Sequence, residues 1–462
     1  MTIKQLFAPS DMTEGTPWKK IVLFTVPMLL GNVAQQLYST VDSIVVGRYV
    51  GDNALAAVGS AGPIYNLLLV LFMGVSAGAS VMVSQYFGAK DREGLSKVIG
   101  NCLTLTAVTS LIIMIVGAII IKPLLNLLGT PKSIIDWCYS YLMVLVLGIA
   151  GTSYYFMLTG ILRGMGDSVS ALIYLLVATV TNIVLDILFV AQFNMGVFGV
   201  ALATIIAQIL SAILSFIKLY NMRTIFDMGP KYLKLEKRYA GTTIRLGIPS
   251  GVTQMIFSAA MILVQSLTNT FGEMVIAANV IIMRVDGFVM MPNFSFGMAL
   301  TTYAGQNIGA GKTDRVLVGS RQGTLIAAAT SFIITGLVVV FGHYIMGLFT
   351  ETEALIDLSR NMMKILALGY VAMAVTQCLS GTMRGAGDTV TPMWISIITT
   401  VIIRVPLAYA IAYFTRSAEH PTGSYLCLFI SLLTSWVLGA LITFIAYERG
   451  SWKKKGLVYT ED

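Results

Sequence analysis

Residues 163–167 read Arg-Gly-Met-Gly-Asp, and residues 384–388 read Arg-Gly-Ala-Gly-Asp, an offset of 221 positions (384 minus 163). The same offset joins Ser84-Gln85-Tyr86-Phe87-Gly88-Ala89-Lys90 to Gly305-Gln306-Asn307-Ile308-Gly309-Ala310-Gly311 (306 minus 85), and Gly51 to Gly272. Separated matches at one offset mark an internal duplication. The Arg-Gly-x-Gly-Asp segments lack the preceding strand and the full spacing of a phosphate loop. They read as turns, where glycine permits tight backbone geometry and Asp167 and Asp388 can cap the helices that follow.

Outward from these turns the chain is apolar, with 56% hydrophobic and 11% charged residues and a mean hydropathy of +0.81. Such a composition lies outside the range of soluble globular domains. About twelve stretches are long enough to cross a bilayer, since a span needs roughly 20 apolar residues. They lie near 20–47, 54–86, 96–126, 135–162, 169–192 and 197–220, then 242–270, 275–306, 318–348, 356–383, 389–414 and 422–447. The expected fold is an all-α integral membrane protein of twelve transmembrane helices in two six-helix lobes. An even number of spans per half leaves both halves in one orientation, related by a pseudo-two-fold axis along the membrane normal. The N-terminal lobe is expected over 1–220, a connector over 221–240, and the C-terminal lobe with a basic tail over 241–462.

Charge sets the orientation. With both termini in the cytoplasm, about 22 of the 30 Lys and Arg residues fall on the cytoplasmic side, as the positive-inside rule requires. The net charge of +8 is thereby a topology signal, and no nucleic-acid partner follows from it. The polar first 17 residues and the long apolar stretch after them suggest no cleaved leader. Cys102, Cys138, Cys378 and Cys427 are scattered without ligand-like spacing, so neither a disulfide frame nor a metal centre is expected. A multi-pass protein of the plasma (inner) membrane follows, in contact with lipid and sufficient as a monomer.

Ionisable residues within spans are costly and mark function by default. Asp42 shares a helical face with Gln35 and Tyr38; Asn182 and Asp186 stack four apart, as do Thr204 and Gln208. Counted at about 1.5 Å per residue from the outer span ends, Asp42, Asp186 and Thr204 share one layer roughly 9 to 12 Å deep. Two carboxylates, an amide and a hydroxyl at one depth can hold a proton or supply oxygen ligands to Na⁺. In the second half the 221 offset lands on Leu263 and Leu407, so the ion site is asymmetric. Arg284, Asp286 and Arg404 lie near mid-membrane there, and an Arg404–Asp286 lock between helices competes with direct substrate contact. Met290 belongs to a Met-Met-Pro-Asn-Phe patch suited to an adaptable cavity wall. His343 and His420 fall in outer loops or span ends and look incidental.

The run Gln35-Gln36-Leu37-Tyr38-Ser39-Thr40-Val41-Asp42-Ser43, the Val50-Gly51 to Gly59 segment ending Ala-Ala-Val-Gly, and the paired Arg-Gly-x-Gly-Asp turns resemble the multidrug and toxic compound extrusion (MATE) family. The resemblance covers essentially the whole chain. It implies a V-shaped, two-lobed antiporter that expels drugs or metabolites, often cationic and amphipathic, in exchange for H⁺ or Na⁺, with no cofactor. It also implies that Asp42, Asn182, Asp186 and Thr204 form the ion site of the first lobe. Acids that some members carry in the first and fourth spans of the second lobe are missing; those spans hold Gln265 and Gln377. Three rivals are a lipid-linked precursor flippase, a channel and a membrane-embedded enzyme. Against the enzyme, no His-Glu-x-x-His motif or Cys/His cluster is present.

Overall fold

A computed structural model describes residues 9–417 and 421–458; His420 lies outside them. The described residues form helices joined by turns and loops, with no strand among them. In the first half the helices are α1 (Pro17–Tyr49), α2 (Asp52–Gly88), α3 (Arg92–Leu127), α4 (Ile135–Leu147), α5 (Ile149–Gly164), α6 (Ser168–Asp186) and α7 (Gly196–Tyr220). The second half repeats the order with α8 (Lys237–Thr268), α9 (Glu273–Gly309), α10 (Thr313–Val340), the short α11 (Gly342–Gly347), α12 (Glu353–Gly385), α13 (Val390–Ser396), α14 (Val405–Phe414) and α15 (Cys427–Glu448). Among the described residues, eleven continuous helical stretches, π turns included, are long and apolar enough to cross a membrane, or twelve when α4 and α5 count as one span bent by 51°. The expected fourth span is thus broken at Gly148. Helix α7 presses on the break: a Cβ on Gly148 would lie 2.6 Å from Ile205 Cγ1, and one on Gly151 would lie 2.5 Å from Ile209 Cγ1.

The fifth span of each half departs from α geometry. Residues Ile187–Gln192 form a π-helical turn directly after Asp186, and Ile397–Arg404 form another between α13 and α14. A π turn re-aims the side chains that follow it and is frequent at functional sites. In the second case Pro406 lies just beyond the turn and offers no N–H to the preceding carbonyls.

The duplication is visible in packing. In the first half a Cβ on Gly164 would lie 2.7 Å from Ser80 O; in the second, Gly385 is packed likewise against Thr301 O. Both pairs keep the 221 offset, so α5 meets α2 as α12 meets α9. Gly166 and Gly387 take φ of 85° and 100°, a left-handed backbone that favours glycine. Asp167 accepts from Ser170 N at 2.9 Å and caps α6, while Asp388 accepts from Thr391 N at 3.3 Å.

Contacts divide the chain into two compact units whose borders do not follow the halves. Val26–Gly251 belongs to the first unit, whereas Met12–Thr25 packs with the second, which resumes at Val252. In the second unit, Met12 N donates to Gln306 Oε1 at 2.8 Å, Met12 O accepts from Asn307 Nδ2 at 3.2 Å, and Gly15 O accepts from Arg315 at 2.7 Å. In the first unit the connector is held by Glu236 N to Asn101 Oδ1 at 2.6 Å, Thr104 Oγ1 to Leu233 O at 2.7 Å, and an Arg92–Asp227 ion pair at 2.8 Å. That hydrogen-bonded guanidinium holds the Asp227 carboxyl below the usual carboxylate range. The four cysteines are free and buried.

Candidate functional site

The first unit builds a polar cluster inside its apolar core. Asp42 lies on α1, Asn182 and Asp186 on the last turns of α6, and Thr204 and Gln208 on successive turns of α7. Asn182 and Asp186 are fully buried, and Gln208 is buried as well. The carboxyl groups of Asp42 and Asp186 lie within hydrogen-bonding reach of each other. The Tyr38 hydroxyl donates to Thr204 Oγ1 at 3.2 Å, closing the cluster between α1 and α7. Tyr141, on α4, is a buried electrostatic neighbour of both acids. Around them, Val45, Val46, Ala57, Leu142, Val200 and Ala201 form part of one buried apolar cluster. Gln35 does not join: it is exposed, although the helical period places it on the Asp42 face.

Several acceptors in this cluster have no hydrogen-bond partner among the described residues: Asp42 Oδ1, both Asp186 oxygens, Asn182 Oδ1 and Gln208 Oε1. A buried carboxylate without a donor is strongly unfavourable, and two close together repel as well. The donor set therefore fits a small cation or a shared proton. Asp42, Asp186 and Asn182 supply oxygen ligands of the kind a hard cation takes, and Thr204 adds a hydroxyl through its contact with Tyr38.

The second unit holds a different polar group. Asp286, on α9, accepts from the hydroxyl of Tyr370 on α12. Tyr370 is fully buried, its ring lies 5.4 Å from that of Trp436 of α15 at a tilt of 46°, and its carbonyl accepts from Asn293 Nδ2 at 3.1 Å. Arg404, at the end of the π turn, is an electrostatic neighbour of Asp286 without an ion pair among the described residues, and its buried Nε has no hydrogen-bond partner. Arg284 is exposed, and Met290 is buried with its sulfur 3.8 Å from Asn293 Nδ2. His343 faces Glu353 at 3.9 Å on the surface.

Tyr141 and Tyr370 are the residues that sequence reasoning overlooked. A tyrosine in an apolar span carries no cost that flags it, and the chain has 20 of them.

A duplicated bundle of membrane-crossing helices with the buried Asp186 beside Asp42 in its first unit defines the class of polytopic membrane transporters. Comparison with known proteins names the group. The MatE family model matches the chain twice, over residues 27–188 and 249–410, and the chain belongs to that family. Similar proteins include "Probable multidrug resistance protein YoeA" of Bacillus subtilis, 30% identical with 98% of each chain covered. Another is "Probable multidrug resistance protein NorM" of Thermotoga maritima, 25% identical with 96% of this chain and 95% of the relative covered. A solved structure described as the outward-facing conformation of a multidrug resistance MATE family transporter of the MOP superfamily has the same fold. Its TM-score is 0.88 at 24% identity, covering 96% of this chain and 97% of that one.

Proposed function

We propose that the protein exports small molecules from the cell in exchange for a cation, H⁺ or Na⁺, taken up at Asp42, Asp186, Asn182 and Thr204. The observation that carries this reading is the fully buried Asp186 carboxyl, with no donor on either oxygen, beside Asp42, whose buried Oδ1 also has none among the described residues. Two carboxylates at close range in a low-dielectric site cannot both stay ionised unless a cation joins them. A site of this kind binds a proton or Na⁺ from whichever side it faces. If the outward-facing state binds the ion better and the inward-facing state binds substrate better, differential affinity couples the two movements.

The names of the relatives support drugs or toxins as the exported class. Basic residues concentrate in the connector and tail, which supports cytoplasmic termini in a plasma membrane. The reading is tested with full-length protein in liposomes loaded with ethidium, a planar cation. An imposed pH or Na⁺ gradient is expected to drive dye against its own gradient. Dye that moves only downhill, whatever gradient is imposed, overturns it.

A further inference from the structure

The histidine that looks incidental in the sequence stands in the second unit opposite two acids. His343 lies in the first turn of α11; Glu353 and Asp357 lie on successive turns of α12, four residues apart and so on one helical face. One donor atom from each of the three lies within 4.8 Å of the other two. His343 Nε2 stands 3.9 Å from Glu353 Oε1, too far for a hydrogen bond and close enough for one ion to touch both. The hairpin that carries them is fixed by apolar packing. Met346 and Ile356 are buried in one cluster, and a Cβ on Gly342 would lie 3.4 Å from Arg360 Cγ. The donors sit on the side of this hairpin that the core leaves to solvent, with both acids exposed and His343 partly so.

Two features say that the cluster is more than a solvated turn. Carboxylates at i and i+4 repel, and among the described residues neither acid pairs with a Lys or Arg, Arg360 included. A dication between them turns that repulsion into attraction. The duplication supplies the second feature. The 221 offset sets His343 opposite Lys122 (343 minus 221), Glu353 opposite Lys132 and Asp357 opposite Asp136. The equivalent turn of the first half is thus made with two lysines, so the turn itself does not require the histidine and the second acid.

We propose that His343, Glu353 and Asp357 form a binding site for a divalent transition metal of the Zn²⁺ class, with water completing the shell. Zn–N and Zn–O lengths of about 2.0 to 2.1 Å put tetrahedral donors about 3.3 Å apart, a spacing that rotation of the exposed side chains reaches from the present one. An imidazole beside two carboxylates selects Zn²⁺ over Mg²⁺ and Ca²⁺, which take oxygen ligands. Bound there, the ion clips the start of α11 to the first two turns of α12. In the orientation proposed above this end of α12 faces outside, so the ion is drawn from the external medium.

The test is calorimetric titration of the full-length protein in detergent with ZnCl₂, in the presence of excess Mg²⁺. One Zn²⁺ per chain is expected. His343→Ala, Glu353→Gln and Asp357→Asn should each weaken binding at least about tenfold, whereas His420→Ala and Asp42→Asn should leave it within about twofold. Zinc-edge X-ray absorption of the loaded wild type reads the shell without any variant, and one imidazole with oxygen donors is expected. Should a variant lose monodispersity on size exclusion, the wild-type spectrum still decides. A wild type that binds no stoichiometric Zn²⁺, binding that survives His343→Ala, or a shell without imidazole overturns the proposal.

Discussion

Tyr38 and Thr204 share one hydrogen bond across the edge of the acid pair, and the two side chains differ in what their loss removes. Tyr38→Phe deletes a neutral donor and is expected to cost about 1 kcal/mol of stability while leaving ion-driven transport intact. A thermal-shift assay beside dye efflux checks this; loss of coupling at unchanged stability would make Tyr38 a direct participant. At the surface, Arg92 holds Asp227 ionised. Because the folded carboxyl lies below its unfolded value, its contribution is present at neutral and alkaline pH and is lost only as pH falls through the acid range. Hydrogen exchange of the connector should therefore be no faster at pH 6 than at pH 8 apart from its intrinsic rate, and faster at both in Asp227→Asn. The acids could be picked from the sequence because charge inside an apolar run is conspicuous. Tyr38 could be picked by its place on the Asp42 face, but Tyr141 and Tyr370 could not, since a tyrosine is at home anywhere in a span.

Helix pairs show where local chemistry gives way to packing. Gly164 lets α5 rest on the Ser80 carbonyl, and Gly385 does the same for α12 on Thr301. Gly164→Leu and Gly385→Leu should each destabilise the protein by about 1 to 3 kcal/mol or more, because backbone cannot yield to the added side chain. Size-exclusion profiles of detergent-extracted protein report this as lost monodisperse material. Equal damage from both is expected of a duplicated contact, and a tolerated leucine at either would deny the close approach. The twelve apolar stretches were legible because bilayer thickness fixes their length. The break at Gly148 was not, since the side chains packed closely on it, Ile205 and Ile209, come from a distant helix. Nor were the π turns, whose apolar residues carry no periodic signature of an i to i+5 bond.

At the scale of the molecule, the chain that leads into α1 docks on the second unit while the connector that leads into α8 docks on the first. The duplication was plain from its repeated motifs, yet this exchange of leading segments was not, because the bonds that make it run mainly through backbone groups. Orientation is testable by labelling, helped by the burial of all four native cysteines. Lys231→Cys should react with an impermeant maleimide only in inverted vesicles, and Thr350→Cys only in intact cells; the opposite pattern reverses the topology. The central claim is that the first unit's acid pair links ion flow to export, and comparing two modes of transport tests it directly. Liposomes carrying wild type, Asp42→Asn or Asp186→Asn are assayed for downhill dye exchange and for uphill transport under an imposed ion gradient. The account predicts that both variants keep exchange and lose uphill transport; variants that still concentrate dye as the wild type does would contradict it.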